Sequence, residues 1–156
     1  MSIEVRPVVA SDRDDWARLF VAYGVFYETA FSDEVVDGVW AWLMDAGHST
    51  NALVAVSPTA SAESSESDAV VGFAIYRPVA DTFTAASGWF LDDLYVDPSA
   101  RGTGAATALI EAIRVIARKA GGGTLRWITA ADNVRAQSVY DKVASRQSWV
   151  TYEIDA

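Results

Sequence analysis

The 156-residue chain is 51% hydrophobic, carries a formal net charge of −9, and holds six Trp, one His and no Cys. That length and apolar content fit one domain, 1–156, with a sizeable core. The missing cysteine excludes disulfides, thiolate metal sites and a cysteine-acyl intermediate, and the acidity argues against a broad nucleic-acid face. The same field favours cationic substrates, although acidity also serves solubility. With His48 as the only histidine, a serine-histidine hydrolase is hard to build, and a solvated loop position is expected for it. No run of about 18 apolar residues is present to span a bilayer, and the first residues lack a secretory pattern. A cytoplasmic protein with no membrane partner is therefore expected.

In chain order, Ile3 to Val9 alternates as a first strand. Ser11 or Asp12 then caps a helix whose apolar face is Trp16, Leu19, Phe20, Tyr23 and Phe26. A second helix fits Asp33 to Ala46, capped by Ser32, with Val35, Val36, Val39, Trp40 and Leu43 inward, and Gly47 ends it. Asn51 to Val56 and Ala69 to Val79 read as strands. Between them lies a serine-rich, acidic stretch, about 57–68, expected to be a mobile hairpin loop. Trp89 to Val96 is apolar on both faces and reads as a central strand, interrupted by Asp92 and Asp93. Asp97-Pro98-Ser99-Ala100 ends it. A long helix starts at about Thr103 with Leu109, Ile113, Ile116 and Ala120 on one face, and Gly121-Gly122-Gly123 stops it. Leu125 to Thr129 is a strand, Val134 to Val143 a helix, and Trp149 to Ile154 a last strand. The order implies an α/β domain with a mixed sheet.

The junction Arg101-Gly102-Thr103-Gly104-Ala105-Ala106 carries chemistry. A helix start leaves backbone N–H groups unpaired and partially positive, and glycines let an anion approach them. Arg101 adds a full charge and a forked donor at its mouth. A tight turn packed on the sheet is the plain alternative. No Lys-Ser/Thr pair closes a Walker-type loop, and no Gly-x-Gly-x-x-Gly/Ala run marks a dinucleotide fold.

The pattern Arg-x-x-Gly-x-Gly/Ala, filled by Arg101, Gly104 and Ala106 after LDDLYVDPSA, resembles the acetyl-CoA pyrophosphate motif of the GNAT N-acetyltransferase superfamily. Downstream, TLRWITAADNVRAQSVYDKVA resembles the family's next strand and helix, with Asn133, Ala136 and Tyr140 matching Asn-x-x-Ala-x-x-x-Tyr. The two motifs cover roughly 72–145, the acyl-CoA-binding core. Their wording is similar to diamine acetyltransferases and to yeast-type histone and polyamine acetyltransferases. The resemblance implies a GNAT fold: a mixed sheet of about six to seven strands flanked by about four helices. It implies an enzyme that moves acetyl directly from acetyl-CoA, without metal, to a primary amine of a polyamine or lysine type. A non-catalytic acyl-CoA sensor, or acetylation of protein N-termini or antibiotic amines, are the alternatives.

Under that resemblance, Gly102, Thr103, Gly104, Ala105 and Ala106 hold the pyrophosphate with Arg101, and Leu94, Tyr95 and Val96 run beside the pantetheine arm if the neighbouring strands splay. Amine acetylation wants one base and one acid, because the amine must lose a proton and the leaving thiolate gain one. Tyr140 is the candidate acid, with Ala136 leaving room for the cofactor; otherwise it is a core tyrosine. Asp92 matches the glutamate proposed as base in diamine acetyltransferases. Strand alternation places Asp92 and Asp93 on opposite faces, so one faces the cleft, unless both anchor loops or bind an arginine. Asn133 resembles a cofactor contact and is equally a helix cap. In the family, the stretch Tyr27 to Asp33 walls the acceptor pocket, which makes Tyr27, Glu28, Phe31 and Asp33 candidate amine contacts, helix packing with a solvated acid being the plain alternative; Asp93, where it faces the cleft, is a further candidate contact. Ala144-Ser145-Arg146 replaces the family's Gly-Phe after the tyrosine, which leaves the last strand, and a homodimer contact through it, open.

Overall fold

The computed structural model describes residues 2–58 and 68–156; the serine-rich acidic loop expected at about 57–68 lies almost wholly outside the described residues. Five strands form one mixed sheet in the order β1-β2-β3-β4-β5: β1 (Glu4–Pro7), β2 (Asn51–Ser57), β3 (Ala69–Asp81), β4 (Ala86–Val96) and β5 (Leu125–Arg126). The first three pairings are antiparallel and β4–β5 is parallel. Four helices complete the fold, α1 (Arg13–Phe26), α2 (Asp33–Met44), α3 (Ala105–Lys119) and α4 (Val134–Tyr140). This is the expected α/β GNAT architecture with fewer strands than six or seven.

Helices cover both faces, which is why the central strands are apolar on both sides. On one face, Leu109, Ile110, Ile113 and Ala117 of α3 pack on Leu53, Ala55, Ala74, Tyr76, Trp89 and Leu91. On the other, Trp16, Leu19 and Phe20 of α1 and Val36 of α2 pack on Val54, Phe73 and Ile75. Trp16 is fully buried and stacks on Phe20 at 4.8 Å. Ser32 caps α2 as expected, accepting from the Val35 N–H at 3.3 Å. Asp12 does not cap α1; its carboxylate takes two hydrogen bonds from Arg6, at 2.8 and 2.9 Å, and ties the first strand to the helix start.

Three expectations are corrected. Val35 is 45% exposed rather than inward, because Val36, Val39, Trp40 and Leu43 already fill the stripe that meets the core. Residues 149–154 form no strand and stay exposed: β5 pairs for two residues only and presents no occupied neighbour to them. The third concerns parity in β4. Ile75 pairs with Asp93 but Tyr76 pairs with Leu91, so Asp92 is the extra residue of a β-bulge. A bulge cancels the alternation on which opposite faces for Asp92 and Asp93 rested. Leu91 and Leu94 accordingly both pack beneath α3, and Tyr95 falls with Asp93 on the α1 side, against Tyr23 and Phe73.

Candidate active site

A cleft of about 460 Å³ opens where the sheet parts. Strands β4 and β5 pair only at Trp89↔Leu125 and Phe90↔Arg126. Beyond Phe90 and the bulge they separate, so the β5 side of Leu94, Tyr95 and Val96 faces the cleft instead of a strand. Strand splay, a condition stated from the sequence, is thus present. The opposite wall is α4, with Asn133, Ala136, Val139 and Tyr140, and the far end is Tyr23, Phe26 and Tyr27 of the α1 terminus.

The glycine corner forms the other end. A short turn, Pro98–Ala100, follows β4 and is pinned by Asp97, which accepts from the Ser99 N–H at 2.9 Å and from Arg18 at 3.0 Å. Gly102 and Gly104 then take φ of +79° and +86°. Open space surrounds both Cα atoms, so glycine is required there by backbone conformation and not by crowding. Gly104 is the N-cap of α3 and no side chain caps it. The first-turn amides therefore point, unpaired by side chains, at a cleft bounded by Arg101, Gly102, Gly104, Ala105 and Ala106. Thr103 turns away, its hydroxyl donating to the Ala100 carbonyl at 2.7 Å.

Cations collect here against the acidic background. Arg101 borders the cleft together with Arg135 and Lys142 of the α4 region, and none of the three forms an ion pair among the described residues. By contrast Arg6, Arg13, Arg18, Arg77, Arg114 and Arg146 are all matched to carboxylates. Sequence reasoning missed Arg135 and Lys142; their places beside Ala136 and two residues after Tyr140 were the available signal. It also read Tyr23 and Phe26 as core face, whereas both reach the cleft. An uncapped helix start, positive-φ glycines, three free cations and a parted sheet suit a phosphorylated ligand with an extended amide-bearing arm, so acetyl-CoA fits these residues.

The remaining candidates separate. Tyr140 stands edge-on to Trp127 at 5.4 Å, and burial, with Tyr27 adding to it, pushes its phenol up to about 12. Asn133 lines the cleft while its Oδ1 accepts the Ala136 N–H at 3.2 Å, so it also caps α4. Asp92 is held by Arg77, whose Nε lies 3.0 and 3.2 Å from its two carboxylate oxygens. Asp93 instead faces Tyr23, whose hydroxyl interacts with its carboxyl. Burial raises its carboxyl above the ordinary range, the Tyr23 bond opposes that, and the charge of Asp92 adds to it. Tyr23 is itself pushed far up, first by burial and then by Asp93. Tyr27 reaches the cleft. Glu28 does not border it and sits exposed in the turn after α1 with φ of +56°. Phe31 stacks on Phe20 at 4.6 Å, in the core, and Asp33 opens α2. His48 stacks on Trp42 at 5.1 Å, apart from the cleft.

Comparison with known proteins agrees with this geometry. The family model described as acetyltransferase (GNAT) family matches residues 16–144. A D-amino-acid N-acetyltransferase of Saccharomyces cerevisiae is 29% identical over 97% of this chain and 89% of its own length. Among solved structures, a ribosomal-protein-alanine N-acetyltransferase from Brucella melitensis biovar Abortus 2308 superposes with a TM-score of 0.79 at 20% identity, covering all of both chains. The aminoglycoside N-acetyltransferase AAC(6')-Iy, solved with CoA, gives 0.78 at 18% identity over 99% of this chain and 95% of that one. The two structural likenesses establish shared fold, and the family match covers the anion corner, the parted strand and Tyr140 together: this chain belongs to the GNAT acetyltransferase family and is an acetyl-CoA-dependent N-acetyltransferase.

Proposed function

We propose that the protein acetylates the primary amine of a small polyamine or a lysine side chain, with Tyr140 as general acid and the Tyr23–Asp93 pair receiving the amine proton. The observation that carries this is the placement of two partly buried phenols in one cleft, Tyr140 and Tyr23, of which Tyr23 has a carboxylate beside it. Acetyl-CoA supplies the acyl group: a nitrogen–carbon bond forms to the amine as the carbon–sulfur bond breaks and CoA leaves as a thiol. Arg101 and the first-turn amides of α3 would hold the pyrophosphate, Arg135 and Lys142 any further phosphate, and Leu94 to Val96 the arm.

Tyr140 keeps its proton throughout the neutral range because burial disfavours phenolate. The same apolar surroundings disfavour a free thiolate, so acid and leaving group rise together and transfer between them stays feasible. At the far end, the Tyr23 oxygen takes a proton from the attacking amine as its own proton passes to Asp93. Asp92, whose oxygens are already engaged by Arg77, is a positioning residue for the bulge. The net negative charge of the protein attracts cationic acceptors.

A second acceptor, the α-amine of a D-amino acid, is favoured by the yeast relative that matches nearly the whole chain. Thiol release measured with spermidine, a lysine peptide, an aminoglycoside and D-amino acids decides between them. Release with the polycations and not with the amino acids supports the first reading; the opposite ranking replaces it.

A further inference from the structure

Helix α4 walls the cleft without being buried itself. It is seven residues long, none of them buried, and the chain from Trp127 to Asn133 that leads into it forms no helix or strand. Its apolar anchor is Tyr140 at its C-terminal end, whose ring meets Trp127 at 5.4 Å. A short rod held at one end swings about that end. A second fixed point is needed to keep Asn133 and Ala136 at a set distance from β4.

Gln137 supplies that point. Its side chain does not border the cleft, and it is turned about 100° around the helix from Ala136, which does. It reaches back along the chain, where Nε2 donates to the carbonyls of Ala130 and Ala131, both at 3.0 Å. Its Oε1 accepts from the Arg146 guanidinium at 3.0 Å, and the same Arg146 nitrogen lies 3.2 and 3.4 Å from the two carboxylate oxygens of Asp141. Carbonyls only accept and a guanidinium only donates, so one orientation of the amide serves all three contacts. The Ala130 carbonyl also takes the Asn133 N–H at 3.0 Å, and the Asn133 carbonyl takes the Gln137 N–H at 3.1 Å. One amide group thus joins the loop before α4, the helix, and the segment after it.

We propose that Gln137, braced by Arg146, is a positioning residue for acetyl-CoA: it fixes α4 against the loop before it and so sets the width of the cleft. Neither side chain touches the cofactor; both act through Asn133 and Ala136. The proposal rests on the reading of this cleft as the acetyl-CoA site, and not on the acceptor or on Tyr140 as acid. An amide is the side chain this task requires. A glutamate could not donate to two carbonyls, and a lysine could not accept from an arginine. Arg146 is the lesser partner, because its pair with Asp141 is more than half exposed on both sides and contributes little alone. The acceptor end, formed by Tyr23, Phe26 and Tyr27 of the α1 terminus, lies outside the brace.

Full-length Gln137→Leu, Gln137→Glu, Arg146→Ala and Arg146→Lys test this by calorimetry with acetyl-CoA, amide hydrogen exchange and acceptor kinetics. Gln137→Leu should raise the acetyl-CoA Kd about fivefold, the scale of one to two lost hydrogen bonds. Gln137→Glu should do the same although it strengthens the contact to Arg146, since it turns a carboxylate toward two carbonyl oxygens. In both, the amides of Ala136 and Gln137 should exchange faster while those of α3 do not, and acceptor KM at saturating acetyl-CoA should stay unchanged. Arg146→Ala should give a smaller rise in Kd, and Arg146→Lys should recover part of it. A lowered Tm with Kd and local exchange unchanged would make Gln137 a stabilising residue only and overturn the proposal. So would a Gln137→Glu variant that binds as the unaltered protein does. Absence of acetyl-CoA binding in the unaltered protein overturns the reading of the cleft and the brace with it, whereas binding there with no change in the variants overturns the brace alone.

Discussion

Tyr140 and Asp93 illustrate how burial sets a side chain's task. Tyr140 keeps its ring against Trp127 whether or not it has a hydroxyl. Tyr140→Phe should therefore preserve fold and acetyl-CoA affinity while lowering kcat by about 10²-fold, the lower range for losing a general acid; calorimetry and thiol release on one sample check both halves. Asp93 binds its proton more tightly folded than unfolded. Its contribution to stability is thus complete below the ordinary carboxylate range and is lost as pH rises through the raised folded value. Asp93→Asn should raise Tm at pH 7 by a few degrees, about 2–4 °C per kcal/mol in a chain of this size, and by much less at pH 4. Turnover should fall in the same variant. Stability gained where activity is lost marks a group kept for chemistry and not for folding.

Among the elements, the strand-corner-helix unit from β4 to α3 was legible because each part has its own local cause: apolar residues for a strand covered twice, Asp-Pro for its end, glycines for the positive φ, helical spacing for α3. Gly104 tests one of these causes alone. With open space around its Cα, Gly104→Ala should cost about 1–2 kcal/mol from the left-handed backbone. Chemical denaturation would show it, with acetyl-CoA affinity falling as the corner distorts. Three things were not legible. Period-two alternation carries no warning of a bulge, so Asp92 and Asp93 read as opposite-facing. A strand signal at Trp149 to Ile154 says that those residues suit pairing and does not say where a partner edge lies. Arg135 and Lys142 escaped because a free cation differs from a paired one only in space.

For the molecule as a whole, −9 of net charge and a cluster of unpaired cations have opposite consequences for the two substrates. The global field attracts a polycationic acceptor and repels an anionic cofactor; the local cluster overcomes that repulsion. Replacing Arg135 and Lys142 by Glu should raise the acetyl-CoA Kd at least tenfold, about 1.4 kcal/mol, and flatten its dependence on salt, both readable by calorimetry across ionic strengths. For a polyamine acceptor, KM should climb with added salt in the unaltered enzyme, because the field that concentrates it is screened.

The extra residue at position 92 acts as a parity bit for the strand. Upstream of it, odd-numbered residues such as Trp89 and Leu91 face α3; downstream, even-numbered Leu94 and Val96 do. Deleting Asp92 would restore a regular ladder and turn the last third of β4 over, sending a carboxyl and a phenol into the apolar layer and two aliphatic side chains toward Tyr23. No single substitution at Asp93 or Tyr95 reaches that outcome. A chain lacking residue 92 should be recovered misfolded, whereas Asp92→Ala, which keeps the count, should fold. What this site inherits at position 92 is a length before it is a chemistry.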